Sequence, residues 1–384
     1  METKVLVQRI YNLKILFSIP WFYPAYKAGG PIRSVVNLVN TLESHFDINI
    51  VTGDKDLNED QKLPNVKTDT WTNYGTNSKV YYTSTNMNLF DRAAFLKQNQ
   101  TDVLFVNGIY SLYFSILPIV FSHSGRVIMS ARGMLHTQAL NQKKWKKKIY
   151  LIFLKMLVKK YNIEFHATDN EERFFIEKTI GSKTKIWVAA NLPTSIPFTT
   201  IEKKDGILRL LTVALIGPMK NYKVILEALR SIKGNVVYDI CGPVYFPEYW
   251  NECLSVIATL PSNIKVNYHG AIPPDQISSF YQNAHVFICP SQSENYGHSF
   301  FEALTCGRPV ISSHNTPWVN LEQSQSGINV EINTFEVEKA IRFFCDMDNI
   351  AFQHWSDAAR KYAADKTDLD QIKQSYIKMF SDNI

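Results

Sequence analysis

The feature that most constrains the fold is the regular alternation of short apolar runs with helix-like segments. Runs such as Lys14–Ile19, Ile48–Thr52 and Val103–Asn107 are rich in β-branched and aromatic residues and are too short for typical helices. An amphipathic segment, Ser34–Leu42, separates the first two runs, and Ser34 is a candidate cap of that helix. This alternation predicts parallel sheets with helices on both faces, in which ligands bind at the carboxyl ends of the strands.

The alternation breaks once, at residues 191–206, and restarts with the apolar run Leu208–Ile216. A chain of 384 residues also exceeds what one hydrophobic core usually spans. We therefore expect an α/β protein in which two doubly wound, Rossmann-like domains face each other across a cleft. The expected parts are a first domain at 1–192, a linker at 193–206, a second domain at 207–365, and a C-terminal helix at 366–384 that is a candidate to cross back to the first domain.

Cysteine usage and the N-terminal sequence bear on the compartment. The five cysteines are odd in number, form no C-x-x-C motif and lie mostly in apolar runs, which predicts buried free thiols in a reducing environment. The first apolar run is too short for a signal peptide, and no apolar stretch is long enough to span a membrane. These features predict a cytoplasmic location.

The segment 286–312 gives the strongest indication of function. Val286–Cys289 predicts a buried strand, a polar loop containing Glu294 follows, and Ser299–Thr305 predicts a helix. Gly297 and His298 would lie near the N-terminus of that helix, where backbone N–H groups and the helix dipole favour an anion such as phosphate. The carboxylates of Glu294 and Glu302 can accept hydrogen bonds from the vicinal hydroxyls of a sugar. The segment therefore predicts a site for a sugar nucleotide.

The same residues resemble the donor-site signature of retaining GT-B glycosyltransferases of family 4. The resemblance is carried by the spacing Glu294-x7-Glu302 and by the following Glu-Ala-Leu-x-x-Gly-x-Pro-Val-Ile. It implies a GT-B fold and the transfer of a sugar from a UDP- or GDP-sugar with retention of configuration. The alternative is an ordinary strand–helix unit with solvated acidic residues. The donor-binding residues expected in this segment are Glu294, Asn295, Tyr296, Gly297, His298 and Glu302.

A second match follows the strand Leu208–Ile216, where Gly217-Pro-Met-Lys220-Asn221 resembles a Gly-Arg-Leu-x-x-x-Lys-Gly segment of the family. The resemblance implies that Lys220 binds the diphosphate of the donor; a solvated turn lysine is the alternative. Leu215 stands where the family has an arginine that helps to neutralise the leaving diphosphate, and Asn221 replaces a glycine. Lys223 or Arg33 are candidates to supply the missing charge, and low or absent activity is the other outcome.

Two further turns of the second domain also match the family. Gly242-Pro243 resembles the turn beside the nucleotide, and Gly270-Ala-Ile272-Pro273 resembles the segment that lines the base. Ile272 would then supply an apolar wall for the base. Plain strand–helix turns explain both segments equally well.

The first domain has two candidate segments. Gly29 and Gly30 follow the first strand, and consecutive glycines allow the backbone to approach a sugar or phosphate closely. Ser130-Ala-Arg132-Gly133-Met-Leu135 resembles a segment of related polysaccharide glycosyltransferases, which makes Arg132 a candidate for the acceptor or its phosphates; a structural or surface ion pair is the alternative. Many relatives have a histidine after the strand that corresponds to Val103–Val106. In this chain Asn107-Gly108-Ile-Tyr110 stands at that place, so no histidine role is expected there.

The segment 143–161 contains eight lysines, no acidic residue and several aromatic and aliphatic side chains. Such a basic amphipathic helix can lie on an anionic membrane surface, whereas the alternative is a solvated helix packed on the sheet. Nucleic acid is not the expected partner, because the net charge of +6 is modest and no recognition motif is present.

Together these features predict a glycosyltransferase with Glu294, Lys220 and Arg132 as its catalytic residues. The expected acceptor is a saccharide. A polyprenyl-linked saccharide in the assembly of a bacterial polysaccharide, O-antigen or capsule is favoured. No Asp-x-Asp motif stands out, so neither a metal nor a cofactor is expected besides the sugar-nucleotide substrate. Two other classes stay open: a catalytically silent sugar-nucleotide-binding partner, and an epimerase or phosphorylase of GT-B shape.

Overall fold

The computed structural model describes residues 13–137, 140 and 144–382. The chain folds into two compact units. The first unit comprises residues 1–192 together with 369–384, and the second comprises residues 193–368. The expected linker 193–206 lies inside the second unit, where Ile196 and Lys203 are buried. The Lys203 ammonium donates to the backbone oxygens of Cys345 and Met347, at 2.9 and 3.0 Å, and so satisfies carbonyls at the end of a helix.

The first unit contains an eight-stranded sheet with the order β3-β4-β2-β1-β5-β6-β7-β8. All neighbouring strands are parallel except β3 and β4. The strands are β1 (Lys14–Ser18), β2 (Asp47–Gly53), β3 (Trp71–Asn73), β4 (Ser78–Thr83), β5 (Val103–Asn107), β6 (Arg126–Ser130), β7 (Glu164–Ala167) and β8 (Ile186–Val188).

The helices of the first unit are α1 (Gly30–Leu42), α2 (Leu89–Gln98), α3 (Leu117–Phe121, after a π-helical turn at Leu112–Ile116), α4 (Lys144–Tyr161), α5 (Asn170–Ile180) and the C-terminal α12 (Leu369–Ser381). Helix α12 belongs to this unit because Tyr376, Met379 and Phe380 are buried in its core. The Phe380 ring lies 5.9 Å from that of Phe17 and 5.5 Å from that of Phe105.

Helix α1 begins earlier than expected, so the proposed cap at Ser34 is wrong. Gly29 occupies the N-cap position with a φ of 68°, Pro31 lies in the first turn, and Ser34 is buried within the helix. A glycine tolerates this left-handed conformation and a proline suits the first helical turn, which explains the earlier start.

The second unit contains a six-stranded parallel sheet with the order β11-β10-β9-β12-β13-β14. Its strands are β9 (Ile207–Val213), β10 (Asn235–Cys241), β11 (Ile264–Tyr268), β12 (Val286–Cys289), β13 (Val310–Ser313) and β14 (Gly327–Val330). Its helices are α6 (Tyr222–Leu229), α7 (Pro247–Ile257), α8 (Ile277–Asn283), α9 (His298–Thr305), α10 (Thr334–Cys345) and α11 (Asn349–Lys366).

Both sheets are doubly wound, which confirms the predicted fold class. In the second unit the strand order reverses between β9 and β12, and in the first it reverses between β1 and β5. Loops leave the carboxyl ends of both strands at such a point and leave a crevice between them, where ligands bind in open α/β sheets. All five cysteines are buried and free, as the sequence predicted.

Candidate functional site

The predicted residues Lys220 and Glu294 meet at the point where the second sheet reverses its strand order. Lys220 ends a short 3-10 turn after β9, and Glu294 lies in the loop after β12. Lys220 Nζ donates to Glu294 Oε1, and both side chains are largely buried. Burial opposes the charged form of Lys220, but the Glu294 carboxylate outweighs it and raises the pKa of Lys220 above its usual value. The pair is therefore a charged one.

Asn221 fixes the geometry of the turn that carries Lys220. Its φ of 56° and ψ of 36° place it in the left-handed region, which asparagine tolerates better than most residues and glycine tolerates freely. This explains how asparagine can stand where relatives have glycine. Its Nδ2 also donates to the backbone oxygen of Pro290 at 2.7 Å.

A second link joins the two loops through Met219. Its backbone oxygen accepts from Gln292 N at 2.8 Å and from Ser291 Oγ at 3.1 Å. The turn after β9 and the loop after β12 are thus held together next to the Lys220–Glu294 pair.

Gly297 is the N-cap of helix α9, which begins at His298, one residue earlier than predicted. Its φ is 76°, and an added Cβ would lie 2.8 Å from Phe300 Cδ2 and 3.2 Å from Trp318 Nε1, so only glycine fits this position without strain. Trp318 Nε1 donates to the backbone oxygen of Tyr296 at 2.7 Å and fixes the preceding residue. Asn295 is exposed and His298 is buried.

Glu302 lies in the second turn of α9 and is buried. Its Oε2 accepts a hydrogen bond of 2.8 Å from the hydroxyl of Tyr281 on α8. The sequence did not identify Tyr281, because a tyrosine within a helix carries no local sign of the carboxylate that it orients.

Gly242 and the segment containing Ile272 also lie close together. Gly242 N donates to the backbone oxygen of Gly270 at 2.7 Å. A Cβ on Gly242 would lie 1.9 Å from the oxygen of Ala214, so this position admits only glycine. Ile272 is half-buried and packs on the apolar cluster that contains Phe287 and Phe300.

Lys223, a candidate to supply the charge expected in place of Leu215, pairs through Nζ with Glu252 at 2.8 Å on an exposed surface. Leu215 itself is half-buried. Lys220 lies at the strand-order reversal of this unit, beside Glu294.

Three predicted residues lie in the first unit instead. Gly29 and Gly30 form the start of α1, and an added Cβ at either would meet no atom within 4 Å. Arg132 follows the carboxyl end of β6 and has a φ of 51°, an uncommon conformation for a residue other than glycine.

Arg132 is held by neutral partners. Its Nε donates to Asn107 Oδ1 at 2.7 Å and its Nη1 to Asn191 Oδ1 at 2.5 Å. Its Nη2 is buried without a hydrogen-bond partner, and no carboxylate of the described residues lies within ion-pair distance. The alternative of a structural ion pair is therefore wrong for the described part of the chain. Asn107, which stands where relatives have histidine, is one of the two residues that orient the guanidinium.

His166 lies behind Arg132 and is fully buried. Its Nδ1 lies 2.9 Å from Ser130 Oγ and its Nε2 lies 2.9 Å from the oxygen of Ala189. Burial, followed by the charge of Arg132, lowers the pKa of His166 from 6.5 to about 3, so the imidazole is neutral.

In the ranges 13–137, 140 and 144–382, no cluster of three or more His, Cys, Asp or Glu side chains is arranged to hold a metal ion. Within the same part of the chain, no helix combines the length and apolar character needed to cross a bilayer.

Comparisons with known proteins agree with this architecture. The family described as "Glycosyl transferases group 1" matches residues 198–361. HepE from Anabaena, solved with UDP and glucose, aligns at a TM-score of 0.69 and 14% identity over 96% of this chain and 99% of that one. WaaG, a glycosyltransferase involved in lipopolysaccharide biosynthesis, aligns at a TM-score of 0.60 and 14% identity over 96% of this chain and 100% of its own. A protein in the cps region of Klebsiella pneumoniae is 22% identical over 265 residues, which are 63% of this chain and 67% of that protein.

The two doubly wound sheets and these structural similarities define a protein of the GT-B class, and this confirms the predicted fold. Residues 198–361, within the second unit, match the family of group 1 glycosyl transferases, and this similarity supports a glycosyltransferase.

Proposed function

We propose that this enzyme transfers a sugar from a UDP- or GDP-sugar to a saccharide acceptor, with retention of configuration, in the assembly of a surface polysaccharide. The observation that carries the proposal is the Lys220–Glu294 pair at the strand-order reversal of the second sheet. A cation and a carboxylate placed together at this point suit a ligand that has both a diphosphate and hydroxyl groups.

Each predicted residue of the second unit then has a separate role. Lys220 binds the diphosphate together with the backbone at Gly297 and His298, Glu294 binds hydroxyls of the transferred sugar, and Glu302 binds the ribose hydroxyls. Because Lys220 and Glu294 neutralise each other before the donor binds, the donor replaces their mutual contact with one partner for each. Tyr281 positions the Glu302 carboxylate.

The second unit also supplies candidate residues around the rest of the donor. We assign Gly242 to the close approach of the backbone to the nucleotide and Ile272 to the wall of the base site. Asn295 and Tyr296 lie directly before Gly297 and are assigned to the donor as well.

In the proposed reaction, the bond between the anomeric carbon and the phosphate oxygen breaks, and a bond to the acceptor oxygen forms on the same face of the sugar. The acceptor proton passes to the leaving phosphate oxygen. This mechanism needs stabilisation of the leaving diphosphate more than a protein base. We assign that stabilisation to Lys220, without a metal or any additional cofactor.

Named relatives support the substrate and the process. HepE from Anabaena was solved with UDP-glucose, at 15% identity and a TM-score of 0.68. WaaG acts in lipopolysaccharide biosynthesis, and the Klebsiella pneumoniae relative is a protein of the cps region. These relatives favour a nucleotide-sugar donor and a polysaccharide product.

We assign Arg132 to an anionic group of the acceptor. Its guanidinium has only amide oxygens as hydrogen-bond partners, so an acceptor phosphate would not have to displace a carboxylate from it. A polyprenyl-diphosphate-linked saccharide has this chemistry.

Helix α4 supports a peripheral position on the inner face of the plasma membrane. Trp145, Ile149, Ile152 and Met156 recur along one side of the helix and are all exposed, Trp145 by 70%. Leu154 and Leu157, on the other side, are buried.

Several lysines of α4 are also exposed: Lys146, Lys148, Lys155, Lys159 and Lys160. Exposed apolar side chains bordered by lysines suit an anionic membrane surface. Lys143, the first residue of the predicted segment, lies outside the described residues.

The test of the proposed reaction is a panel of UDP- and GDP-sugars, measured first by thermal shift. A donor that stabilises the protein is then incubated with saccharide acceptors. We expect release of the nucleoside diphosphate and a product whose anomeric configuration, determined by NMR, equals that of the donor. An inverted product would refute retention, and a dependence on free phosphate would indicate a phosphorylase.

The second candidate function is that of a catalytically silent partner that binds a sugar nucleotide. Leu215 favours this candidate, because it leaves the site without the family arginine. It predicts a donor-induced thermal shift with no nucleoside diphosphate release for any acceptor. Measurable transfer excludes it.

A further inference from the structure

A surface cavity of about 910 Å³ lies beside the C-terminal half of α4. Its walls come from residues 155–164 and from residues 180–185, which connect α5 to β8. The cavity therefore lies at the amino ends of β7 and β8. Arg132 follows the carboxyl end of β6. Because β6, β7 and β8 are parallel, the cavity and Arg132 lie at opposite ends of the strands of the same sheet.

The charge of the cavity is strongly positive. Lys155, Lys159, Lys183 and Lys185 line it, and Glu164 is the acidic residue among the lining side chains. Of these lysines, Lys185 pairs with Asp382 and lies 3.6 Å from Glu164. The other three form no ion pair with any described residue, and all three are exposed.

Glu164 does not neutralise Lys155, Lys159 or Lys183, because its carboxylate is already bound by other groups, Lys185 among them. Arg126 Nε and Nη2 donate to its two oxygens at 3.1 and 2.7 Å, and Trp187 Nε1 donates to Oε2 at 2.6 Å. Burial opposes the charged form of Glu164, but Arg126, Trp187 and Lys185 together outweigh burial and lower the pKa of Glu164. The cavity therefore keeps an excess of positive charge that an anion would balance.

The spacing of residues along α4 places the exposed apolar side of this helix next to the cavity. Lys159 follows Ile152 by seven residues, which is about two helical turns and places both on the same side of the helix. Lys155 directly precedes Met156, which is 59% exposed. A molecule with its phosphate among the lysines would thus have the exposed side chains of Ile152 and Met156 beside it.

We propose that this cavity binds the phosphate-bearing headgroup of an anionic membrane lipid, whose acyl chains lie along the apolar side of α4. The inference rests on the proposed membrane position of α4 and deepens it. The lysines supply point charges for the phosphate, and the apolar row supplies the contact with the acyl chains.

The test uses short-chain phosphatidylglycerol, below its micelle concentration, as a soluble probe of the full-length protein. Phosphatidylcholine of the same chain length and inorganic phosphate serve as comparison ligands. We expect phosphatidylglycerol to bind more tightly than either. Lys183→Gln should weaken its binding about fivefold, as for one lysine contact to an anionic headgroup. Lys361→Gln, at an exposed lysine of α11 in the second unit, is the matched control and should not change it.

Equal binding of phosphatidylcholine or of inorganic phosphate would overturn the proposal, as would equal effects of the two substitutions. Binding to phosphatidylglycerol vesicles without binding of the soluble lipid would also overturn it while leaving the membrane position of α4 intact. The donor-induced thermal shift of Lys183→Gln should equal that of the wild type. Loss of lipid binding with an intact shift therefore separates failure at the cavity from failure of the proposed sugar transfer.

Discussion

The two units place a cation after a strand of a doubly wound sheet, but they treat its charge differently. In the second unit, Lys220 is paired with the carboxylate of Glu294. In the first, Arg132 has two amide oxygens as partners and one buried NH2 group without any among the described residues. A cation that is paired with a carboxylate must exchange this partner when an anionic ligand binds. A cation whose partners are amide oxygens can bind an anion without displacing a carboxylate. The paired arrangement of Lys220 suits a donor that also has hydroxyls for the carboxylate. The arrangement of Arg132 suits a simple anionic group.

The largest expected effect comes from removing the paired cation. Lys220→Ala should lower kcat/KM by about 100- to 1000-fold, because the leaving diphosphate loses its stabilising charge. The measurement is the rate of nucleoside diphosphate release. Lys220→Arg is the control, since it keeps the charge and should retain more activity than alanine. An unchanged rate in Lys220→Ala would remove this residue from the reaction.

The unpaired cation should have a smaller and different effect. Arg132→Gln is expected to lower kcat/KM for an anionic acceptor by about 10- to 100-fold through loss of charge-assisted hydrogen bonds. The donor-induced thermal shift should stay unchanged.

Asn191→Asp sharpens the same comparison. It places a carboxylate where Asn191 Oδ1 now accepts from Arg132, and so gives Arg132 a partner like the one that Lys220 has. We expect a raised KM for the acceptor with a smaller change in kcat. Equal KM values for the wild type and Asn191→Asp would show that Arg132 does not bind an anionic acceptor group.

The buried histidines predict a difference in acid stability between the units. Burial lowers the pKa of His166 to about 3 and that of His285, in the second unit, to about 4, both from 6.5. Each contribution to stability is complete above pH 6.5 and is lost as the pH falls toward the lowered value, because the unfolded chain then binds more protons.

For each histidine the loss should be about 2 kcal/mol near pH 5. Below about pH 4 the loss in the first unit should begin to exceed that in the second, by at most about 1.4 kcal/mol, and this full difference is reached only below about pH 3. Hydrogen exchange resolved by unit, as a function of pH, measures this. His166→Gln should flatten the pH dependence of the first unit alone. The same slope in the variant and the wild type would contradict the assignment of the neutral imidazole.

The smallest expected effect is that of metal removal. Because the leaving diphosphate is assigned to Lys220, incubation with EDTA should leave nucleoside diphosphate release within the error of the assay. Loss of activity that Mg²⁺ or Mn²⁺ restores would show that a metal shares this role.

The sequence predicted the parts of the molecule that depend on local pattern. Strand–helix alternation gave the fold class, and the strand, loop and helix around Glu294 were placed within one residue of where they lie. The ion-pair alternative for Arg132 was wrong because its partners, Asn107 and Asn191, are distant in sequence and depend on which strands are neighbours. Tyr281 was missed for the same reason. Ser34 was misassigned because Gly29 and Pro31 determine the start of α1 more strongly than a serine does.

The most direct measurement of the central claim is a crystal structure of the enzyme with the UDP- or GDP-sugar that stabilises it most. We expect the diphosphate within hydrogen-bonding distance of Lys220 Nζ, the ribose hydroxyls on Glu302, and Glu294 separated from Lys220 and bound to the sugar. A nucleotide found elsewhere, or an intact Lys220–Glu294 pair with no ligand beside it at saturating donor, would contradict the account.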